Sequence, residues 1–279
     1  MLHGTGPLDR DENMPGQRLD VFNTIAHHLA AHGVASLRYD KRGCGKSTGD
    51  YFAAGQPDFV ADAVAWVDWL KAEPRCDGTA MFLLGHSEGC IVAPRVSLQR
   101  PELAGLILLC PVLTPIETVL MKQAEHVERE LERMVGIKGK LLRLAVRLLG
   151  SPVDKQRKLI ERLKSTREPA LRLGLQRIGA RSLRDLMALD MHCLFDDVRC
   201  PVLALGGEKD VQCDPADVAK ISARHPECEG IVVPDLTHLL RSDERAASIF
   251  GYRELLRRPI APIVLTHIER WLVRRVHGL

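Results

Sequence analysis

The sequence predicts an α/β fold, in which a mostly parallel sheet is flanked by helices and a helical cap insertion covers one end of the sheet. Two observations lead to this prediction. Short, almost continuously apolar runs alternate with amphipathic stretches, which is typical of strands buried on both faces and joined by helices. One long central stretch has helical periodicity without any strand-like run, and it is too long to be a bare loop.

Five mainly apolar runs predict the strands, and all but the third end in polar residues. They occupy residues 34–40, 80–86, 103–112, 201–210 and 230–237. Alternation of such runs with helical patterns indicates βαβ units, in which the strands of one sheet lie parallel.

Four further stretches have the periodicity of helices, at residues 17–33, 58–74, 88–99 and 261–278. Asp58 is expected to cap the second of these helices, because its carboxylate can accept a hydrogen bond from a free backbone amide of the first turn. Pro94 is expected to bend the third, since proline removes a backbone donor inside a helix.

The central stretch, residues 116–198, is predicted to be the helical cap. The remainder, residues 1–115 and 199–279, then forms the core around the sheet. The many Arg and Lys residues of the insertion are expected to form a solvated helical face.

Composition excludes several classes of partner. The net charge of +3 comes from 39 basic and 36 acidic residues, a balance too even to indicate nucleic acid or an anionic membrane as a partner. Aromatic residues make up only 4% of the chain, which disfavours a platform that stacks on bases. No apolar run approaches the roughly 20 residues of a membrane span.

The eight cysteines include no CxxC pair, and the chain does not open with the charged-then-apolar layout of a secretory signal. Free thiols in a reducing, cytoplasmic location are therefore expected. The eleven histidines form no HExxH motif, and no Cys/His group has the spacing of zinc ligands. Neither a metal nor a cofactor is indicated.

Residues 43–48 read GCGKST, which invites comparison with a phosphate-binding loop. That loop requires another glycine five positions before Gly45, and the residue there is Asp40. We therefore interpret GCGKST as a structural turn and not as a nucleotide site.

The strongest local motif is GHSEG at residues 85–89, which follows a predicted strand and precedes a predicted helix. This is the GxSxG pattern in the context that it requires. The two glycines permit a sharp, strained turn that presents the Ser87 hydroxyl above the sheet edge, at a helix N-terminus that favours developing negative charge. Ser87 is the candidate nucleophile.

A catalytic serine needs a base that is oriented by an acid. His238 follows the last predicted strand and Asp210 follows the strand before it, so that the residues occur in the order Ser, Asp, His that this architecture uses. Asp214 precedes a proline and is better explained as a helix cap. Asp235 is too close to His238 in sequence to approach it from a separate strand.

Other histidines fit the role of base less well. His86 adjoins the serine but is expected to point elsewhere at that turn. His27, His28 and His32 lie on a predicted helix.

Backbone amides that stabilise an oxyanion complete such a site. One donor is expected to be the amide of Glu88, which follows the nucleophile. The other is expected in HGTGP at residues 3–7, where the amide of Thr5 can point into the site.

Five motifs, HGTGPLDRDEN, YDKRGCGKS, GHSEG, GGEKD and THLL, resemble the α/β-hydrolase superfamily. They are most similar to bacterial esterases and serine-aminopeptidase-like hydrolases whose oxyanion loop reads HGSGP followed by DRDE. The resemblance implies a cofactor-independent serine hydrolase that acts on a small-molecule carboxylic ester. The cap is rich in Leu and Arg with few aromatic residues, which favours short to medium acyl groups.

Two alternatives stay open. An aminopeptidase or amidase would need an acidic residue to hold a substrate α-amino group, and Glu88, Asp9 and Glu12 are the candidates. A non-catalytic binding protein on the hydrolase scaffold is the second alternative, although every member of the predicted triad is present.

The start of the chain departs from the family pattern. Only Met1 and Leu2 precede His3, whereas in the family a strand runs into this loop and lies between the strands predicted at 34–40 and 80–86. Its loss would leave backbone groups unpaired, at about 1–3 kcal/mol for each buried group. The expectation is a sheet without its N-terminal strands, in a fragment or with an unusual closure.

Overall fold

The computed structural model describes residues 1–78 and 80–276. Its strands in chain order are β1 (Phe82–His86), β2 (Gly105–Leu109), β3 (Ala170–Leu173), β4 (Gln176–Gly179), β5 (Val202–Gly207) and β6 (Cys228–Val233). A parallel four-stranded sheet in the order β1-β2-β5-β6 lies at the centre. The predicted parallel sheet is confirmed, and four of the five predicted strands are present.

The register of the sheet brings its polar strand ends to one edge. Leu84 of β1 pairs with Ile107 of β2, which pairs in turn with Leu203 of β5. β2 is buried along its whole length, as the continuously apolar run predicts. Because the strands are parallel, the residues that follow β1, β5 and β6 meet at the same edge.

The strand predicted at 34–40 is wrong, since this segment has no regular strand structure. Its neighbour in space is the start of the chain. Leu2 forms a parallel bridge with Gly85 of β1, donating to the Leu84 carbonyl at 2.7 Å and accepting from the His86 amide at 3.0 Å. The Met1 amino group donates to the Leu37 carbonyl at 3.0 Å. These few hydrogen bonds pair some of the backbone groups along the free edge of β1. They are too few to form a further strand of the sheet.

Helices surround the sheet, namely α1 (Val21–Ala31), α2 (Gln56–Ala72), α3 (Gly89–Ser97), α8 (Ala216–Arg224), α9 (Tyr252–Leu255) and α10 (Pro262–Val276). Helix α1 packs against α10, α2 against α3, and α8 against β5 and β6. Helix α3 continues through Pro94. The prediction that Asp58 caps α2 is wrong, because the helix begins earlier in the chain. Asp58 lies in its first turn and accepts from the amide of the capping residue, Gly55, at 2.8 Å.

Residues 116–198, which are predicted to be an inserted cap and are called the insertion below, contain α4 (Ile116–Arg133), α5 (Gly136–Leu149), α6 (Pro152–Ser165) and α7 (Ala180–Ala188). The prediction that this segment contains no strand is wrong. Strands β3 and β4 form an antiparallel hairpin, whose turn contains Gly174 at a φ of +59°. These strands are four residues long and carry Arg and Gln, so they lack the apolar run by which the core strands are recognised.

Short 3-10 helices occur at Tyr51–Ala53 and Met191–Cys193. Among the residues that the structure describes, no helix has both the length and the apolar character needed to cross a membrane.

Candidate active site

Ser87 occupies a strained turn between β1 and α3. Its φ is +52°, a left-handed conformation that a residue with a side chain rarely adopts. A Cβ atom at Gly85 would lie 2.4 Å from the Gly89 carbonyl oxygen, and one at Gly89 would lie 2.1 Å from the Leu2 carbonyl oxygen. The GxSxG spacing is therefore a steric requirement of this turn.

The predicted acid and base are in contact. Asp210 Oδ2 lies 2.8 Å from His238 Nδ1, and both residues are buried. Oδ1 of Asp210 accepts from the amides of Gln212 and Cys213 at 2.8 and 2.9 Å. Burial opposes ionisation of Asp210, but the attraction of His238 and these hydrogen bonds together hold the pKa of the carboxyl below its usual value.

Ser87 lines the same cavity as His238. Among the described residues, however, its hydroxyl makes no hydrogen bond to the His238 ring. Burial raises the pKa of the Cys213 thiol well above its usual value, and the nearby Ser87 hydroxyl opposes this increase only in part. The structure thus joins Asp210 to His238 and brings Ser87 to the same cavity without a direct bond between serine and histidine, a bond that commonly tightens only when substrate is present.

The two predicted oxyanion donors also lie at this cavity. Thr5 and Glu88 are among its lining residues, and a Cβ atom at Gly4 would lie 3.3 Å from Ser87 Cβ. Within residues 1–78 and 80–276, the backbone amides of Thr5 and Glu88 donate to no protein acceptor. These amides are therefore available to a ligand beside the nucleophile.

The cavity has a volume of about 370 Å³, within the usual range for small-molecule sites. Its walls are mainly apolar and come from both the core and the insertion. Helix α4 contributes Ile116, Val119, Leu120 and Gln123, and helix α7 contributes Leu183 and Leu186.

Comparison with known proteins gives the family. The model of the family described as serine aminopeptidase, S33, matches residues 16–245. The chain belongs to this family. The resemblance to esterase-like α/β hydrolases that the motifs predicted is confirmed.

Two curated proteins similar to this chain are esterase EstD of Thermotoga maritima and monoglyceride lipase of Mus musculus. EstD is 26% identical over 278 residues, which cover 98% of the chain and 61% of EstD. The lipase is 27% identical over 100 residues, or 35% of the chain and 32% of the lipase. The chain thus spans less than two thirds of either relative.

Solved structures share the fold. The chain superposes on ferulic acid-bound Est1E from Butyrivibrio proteoclasticus with a TM-score of 0.62 and 17% identity, covering 99% of this chain and 88% of Est1E. It superposes on the monoacylglycerol lipase of Paleococcus ferrophilus with a TM-score of 0.56 and 20% identity, covering 98% and 93%. At these identities the likeness concerns the α/β-hydrolase fold alone.

In this family member, all three carboxylates proposed to hold an α-amino group already have partners. Glu88 is buried and accepts from Lys41 Nζ at 2.9 Å and Gln56 Nε2 at 2.6 Å. Glu12 is buried and bonds His86 Nδ1 at 2.8 Å and the Gly4 amide at 2.6 Å. Asp9 accepts from the backbone amides two and four residues later.

Among the described residues neither ring nitrogen of His86 bonds the Ser87 hydroxyl, in agreement with the expectation that His86 points elsewhere, although the ring lines the cavity. Its ring lies 5.1 Å from that of His238, between centroids, and lines the cavity. Nδ1 bonds Glu12, and Nε2 lies 3.1 Å from the His238 carbonyl oxygen. Burial lowers the pKa of His86, but the charge of Glu12 and its hydrogen bond outweigh burial and raise it.

Lys41 lies next to the candidate site, although the sequence motifs assigned it no role. It is buried beside Glu88 and donates to the Gly4 carbonyl at 2.7 Å. The signal was present, since a lysine directly follows an apolar run and precedes the glycine-rich turn.

The GCGKST segment is a turn around Asp40. The Asp40 carboxylate accepts from the Lys46 amide at 2.8 Å and from Arg10, which holds the pKa of the carboxyl well below its usual range. A Cβ at Gly45 would lie 2.5 Å from that carboxylate. An amide that a phosphate would need is thus bound by the protein's own side chain.

Three groups of side chains in the described residues bring ligand-type atoms within 4.8 Å of one another, namely His86, Cys110 and His238; Asp210, Cys213 and His238; and His28, His32 and Glu269. Both buried groups share His238 with the candidate triad. Burial raises the pKa of their cysteine thiols well above the usual value, which disfavours the thiolate that a metal binds.

Proposed function

We propose that the protein is a serine hydrolase that cleaves carboxylic esters of short to medium acyl chain length through an acyl-enzyme. One observation carries the proposal: a buried carboxylate–imidazole pair, Asp210 and His238, opens onto the cavity into which a strained turn projects Ser87.

Each residue has a distinct part in the proposed reaction. If His238 Nδ1–H donates to Asp210, Nε2 carries the lone pair that can accept the Ser87 proton. The Ser87 oxygen attacks the acyl carbonyl, and the amides of Thr5 and Glu88 stabilise the oxyanion. The imidazolium, stabilised by Asp210, returns the proton to the leaving alcohol. Water then attacks the acyl-enzyme by the same route and releases the acid.

Ester substrates are favoured over N-terminal amino acid substrates. A buried carboxylate without a partner would be the natural receptor of an α-ammonium group, but Glu88, Glu12 and Asp9 are bound by the protein itself. Nothing comparable is needed for an ester. The aminopeptidase alternative rests on the family description, and the non-catalytic alternative does not explain a complete set of triad residues.

The insertion is proposed to act as the cap that selects the acyl group. Apolar side chains of α4 and α7 form one wall of the cavity, so an acyl chain bound to Ser87 would lie against them. A cavity of about 370 Å³ holds a short or medium chain more readily than a long one.

Labelling with a fluorophosphonate tests whether Ser87 is activated, because this probe reacts with nucleophilic serines. Wild-type protein is expected to be labelled, and Ser87→Ala is expected to lose both labelling and turnover of p-nitrophenyl esters. Ser97→Ala is the matched control, since Ser97 lies in α3, donates to the Pro94 carbonyl and is buried away from the cavity. Unchanged ester turnover in Ser87→Ala would refute the proposal.

Substrate class is tested by comparing p-nitrophenyl esters of graded length with aminoacyl-nitroanilides. The proposal predicts the largest kcat/KM on the shorter esters. Faster turnover of the nitroanilides would favour the aminopeptidase.

A further inference from the structure

Helix α5 of the insertion presents apolar side chains to solvent. Four of them recur at helical spacing and form one continuous row, which we call the apolar stripe: Ile137, Leu141, Leu144 and Leu148, exposed by 79, 62, 53 and 76%. Single exposed apolar residues are common on protein surfaces, but four on one face of one helix form a patch of the kind that marks a docking surface.

Basic residues lie along one side of the apolar stripe. At 100° per residue, Lys140, Arg143 and Arg147 follow one flank of the row, and residues 136–149 contain no Asp or Glu. In the described part of the chain, Lys140 and Arg147 are exposed and form no salt bridge. The surface of α5 is therefore locally positive, although the net charge of the whole chain is only +3.

The apolar stripe lies close to the cavity. Helix α5 packs against α4, and α4 supplies Ile116, Val119 and Leu120 to the cavity wall. A surface bound by α5 would thus be separated from the cavity by a single helix.

We propose that α5 docks on an anionic lipid surface, with the apolar stripe at the acyl boundary and Lys140 and Arg147 at the headgroups. Amphipathic helices with a basic flank bind membranes in this way, by apolar burial together with attraction to anionic lipid. A second copy of the chain fits less well, because the same helix on that copy offers no acidic residue to meet the basic flank. This proposal concerns a surface and is independent of the catalytic one.

Flotation with phospholipid vesicles tests the docking. The full chain is expected to float with phosphatidylcholine vesicles that contain about one quarter phosphatidylglycerol, and to bind pure phosphatidylcholine much less. Replacing the stripe in Leu141→Ser/Leu144→Ser/Leu148→Ser is expected to reduce the bound fraction at least about tenfold. Lys140→Gln/Arg147→Gln is expected to weaken binding and its dependence on salt.

Leu175→Ser is the matched control, since Leu175 is a fully exposed leucine in the turn of the β3–β4 hairpin, and it should leave vesicle binding unchanged. The circular dichroism spectrum and the melting temperature of all variants verify that the fold is intact. Equal binding of the triple variant, equal binding to neutral vesicles, or a wild-type dimer that the triple variant abolishes without any vesicle binding would each overturn the proposal.

A second inference rests on different contacts, those of Lys41. Its Nζ is buried and donates both to the Gly4 carbonyl at 2.7 Å and to Glu88 Oε2 at 2.9 Å. The Gly4 carbonyl and the Thr5 amide belong to one planar peptide unit, in which they point in opposite directions. A cation that holds the carbonyl on one side therefore fixes the amide toward the other.

The same ammonium also holds the residue of the second predicted donor. The other carboxylate oxygen of Glu88 accepts from Gln56 Nε2 at 2.6 Å, and Gln56 in turn donates to Ser182 of α7 at 2.9 Å. Both carboxylate oxygens of Glu88 are thus held, next to a backbone amide that has no acceptor among the described residues.

The geometry points to Lys41 as a positioning residue that orients both oxyanion donors, the amides of Thr5 and Glu88. This inference rests on the proposed function. Lys41→Met keeps the length of the side chain and removes the charge, and it is expected to lower kcat on an ester about 10- to 100-fold with little change in KM, since full loss of one donor costs about 10²–10³. Affinity for a boronic acid that mimics the tetrahedral intermediate should fall in parallel.

Removal of Lys41 alone leaves Glu88 buried without its cation, so a second variant separates folding from positioning. Lys41→Met/Glu88→Gln is expected to recover thermal stability but not kcat, whereas a merely structural lysine predicts recovery of both. Failure of the wild type to turn over any ester would refute the proposed function. An active wild type together with a fully active double variant would refute the role of Lys41 alone.

Discussion

Two buried histidine–carboxylate pairs lie side by side beneath the cavity, and their geometry is nearly the same. Asp210 bonds His238 and Glu12 bonds His86, each through Nδ1 at 2.8 Å. In both pairs burial opposes ionisation of the carboxyl, but the histidine and the backbone hydrogen bonds together outweigh burial and lower the pKa of the carboxyl.

The pairs differ at the other ring nitrogen. His86 Nε2 is held by the His238 carbonyl oxygen at 3.1 Å, whereas in the described part of the chain Nε2 of His238 has no hydrogen-bond partner. A histidine can transfer a proton only where one nitrogen is left to the substrate. A buried contact between a carboxylate and an imidazole therefore does not by itself define a catalytic base. His86 instead holds the backbone of His238 in place through the His238 carbonyl oxygen.

Substitution of the two histidines should separate their roles most strongly. His238→Gln is expected to lower kcat on an ester by about 10⁴-fold or more. His86→Gln leaves Glu12 as an unpaired buried charge and is expected to cost about 3–5 kcal/mol of unfolding free energy, with a much smaller effect on kcat. Ester kinetics and urea unfolding measure both quantities. Equal losses of kcat would erase the distinction between the pairs.

The carboxylates provide the next test. Asp210→Asn should lower kcat by about 10⁴-fold, because the amide favours the wrong tautomer of His238. Glu12→Gln should mainly destabilise the fold, since a protonated His86 loses its counter-ion. Measurement of kcat and of the melting temperature for both variants is the check. A Glu12→Gln protein that is stable but inactive would place Glu12 in the chemistry.

The pH dependence of stability isolates the Glu12–His86 pair. The pKa of His86 is raised above its ordinary value of 6.5, so the stability that it contributes is fully present below 6.5 and is lost as the pH rises through the raised pKa. The pKa of Glu12 is lowered from 4.5, so its contribution is present above 4.5 and is lost as the pH falls through the lowered value. In urea unfolding across this pH range, the difference in unfolding free energy between wild type and Glu12→Gln should therefore shrink at both low and high pH.

The smallest effect is expected at Cys213, which lines the cavity beside Ser87. Cys213→Ala removes no member of the proposed mechanism, so kcat should change by less than about tenfold. A loss as large as that of His238→Gln would show that the thiol, and not only the imidazole, is needed at Ser87.

Local motifs in the sequence were sufficient for part of this arrangement. The turn around Ser87 depends on residues within two positions of the serine, so GHSEG predicts it directly. The parallel strands fix which loops meet, and the contact between Asp210 and His238 could therefore be predicted from their places after β5 and β6.

Contacts between distant segments could not be predicted in the same way. Glu12 lies in HGTGPLDRDEN and His86 in GHSEG, 74 residues further along the chain. Nothing within either motif indicates that these two side chains are in contact. The apolar run at 34–40 predicted a strand, but strand structure also requires a ladder, and Met1 and Leu2 supply only a few of the hydrogen bonds. The hairpin of β3 and β4 is too short and too polar to have an apolar pattern.

The eight cysteines, all free and all within the described residues, give the molecule an internal reporter. Cys193 is exposed, Cys76 and Cys228 are half-buried, and the remainder are buried, among them Cys90, whose thiol donates to the Gly85 and Leu109 carbonyls directly behind the nucleophile. A chromogenic thiol reagent would therefore modify Cys193 at once and reach Cys90 only when the turn at Ser87 opens. In a variant that keeps only Cys90 and Cys193, the rate of that slow phase would report how often the turn at Ser87 opens, without any added label.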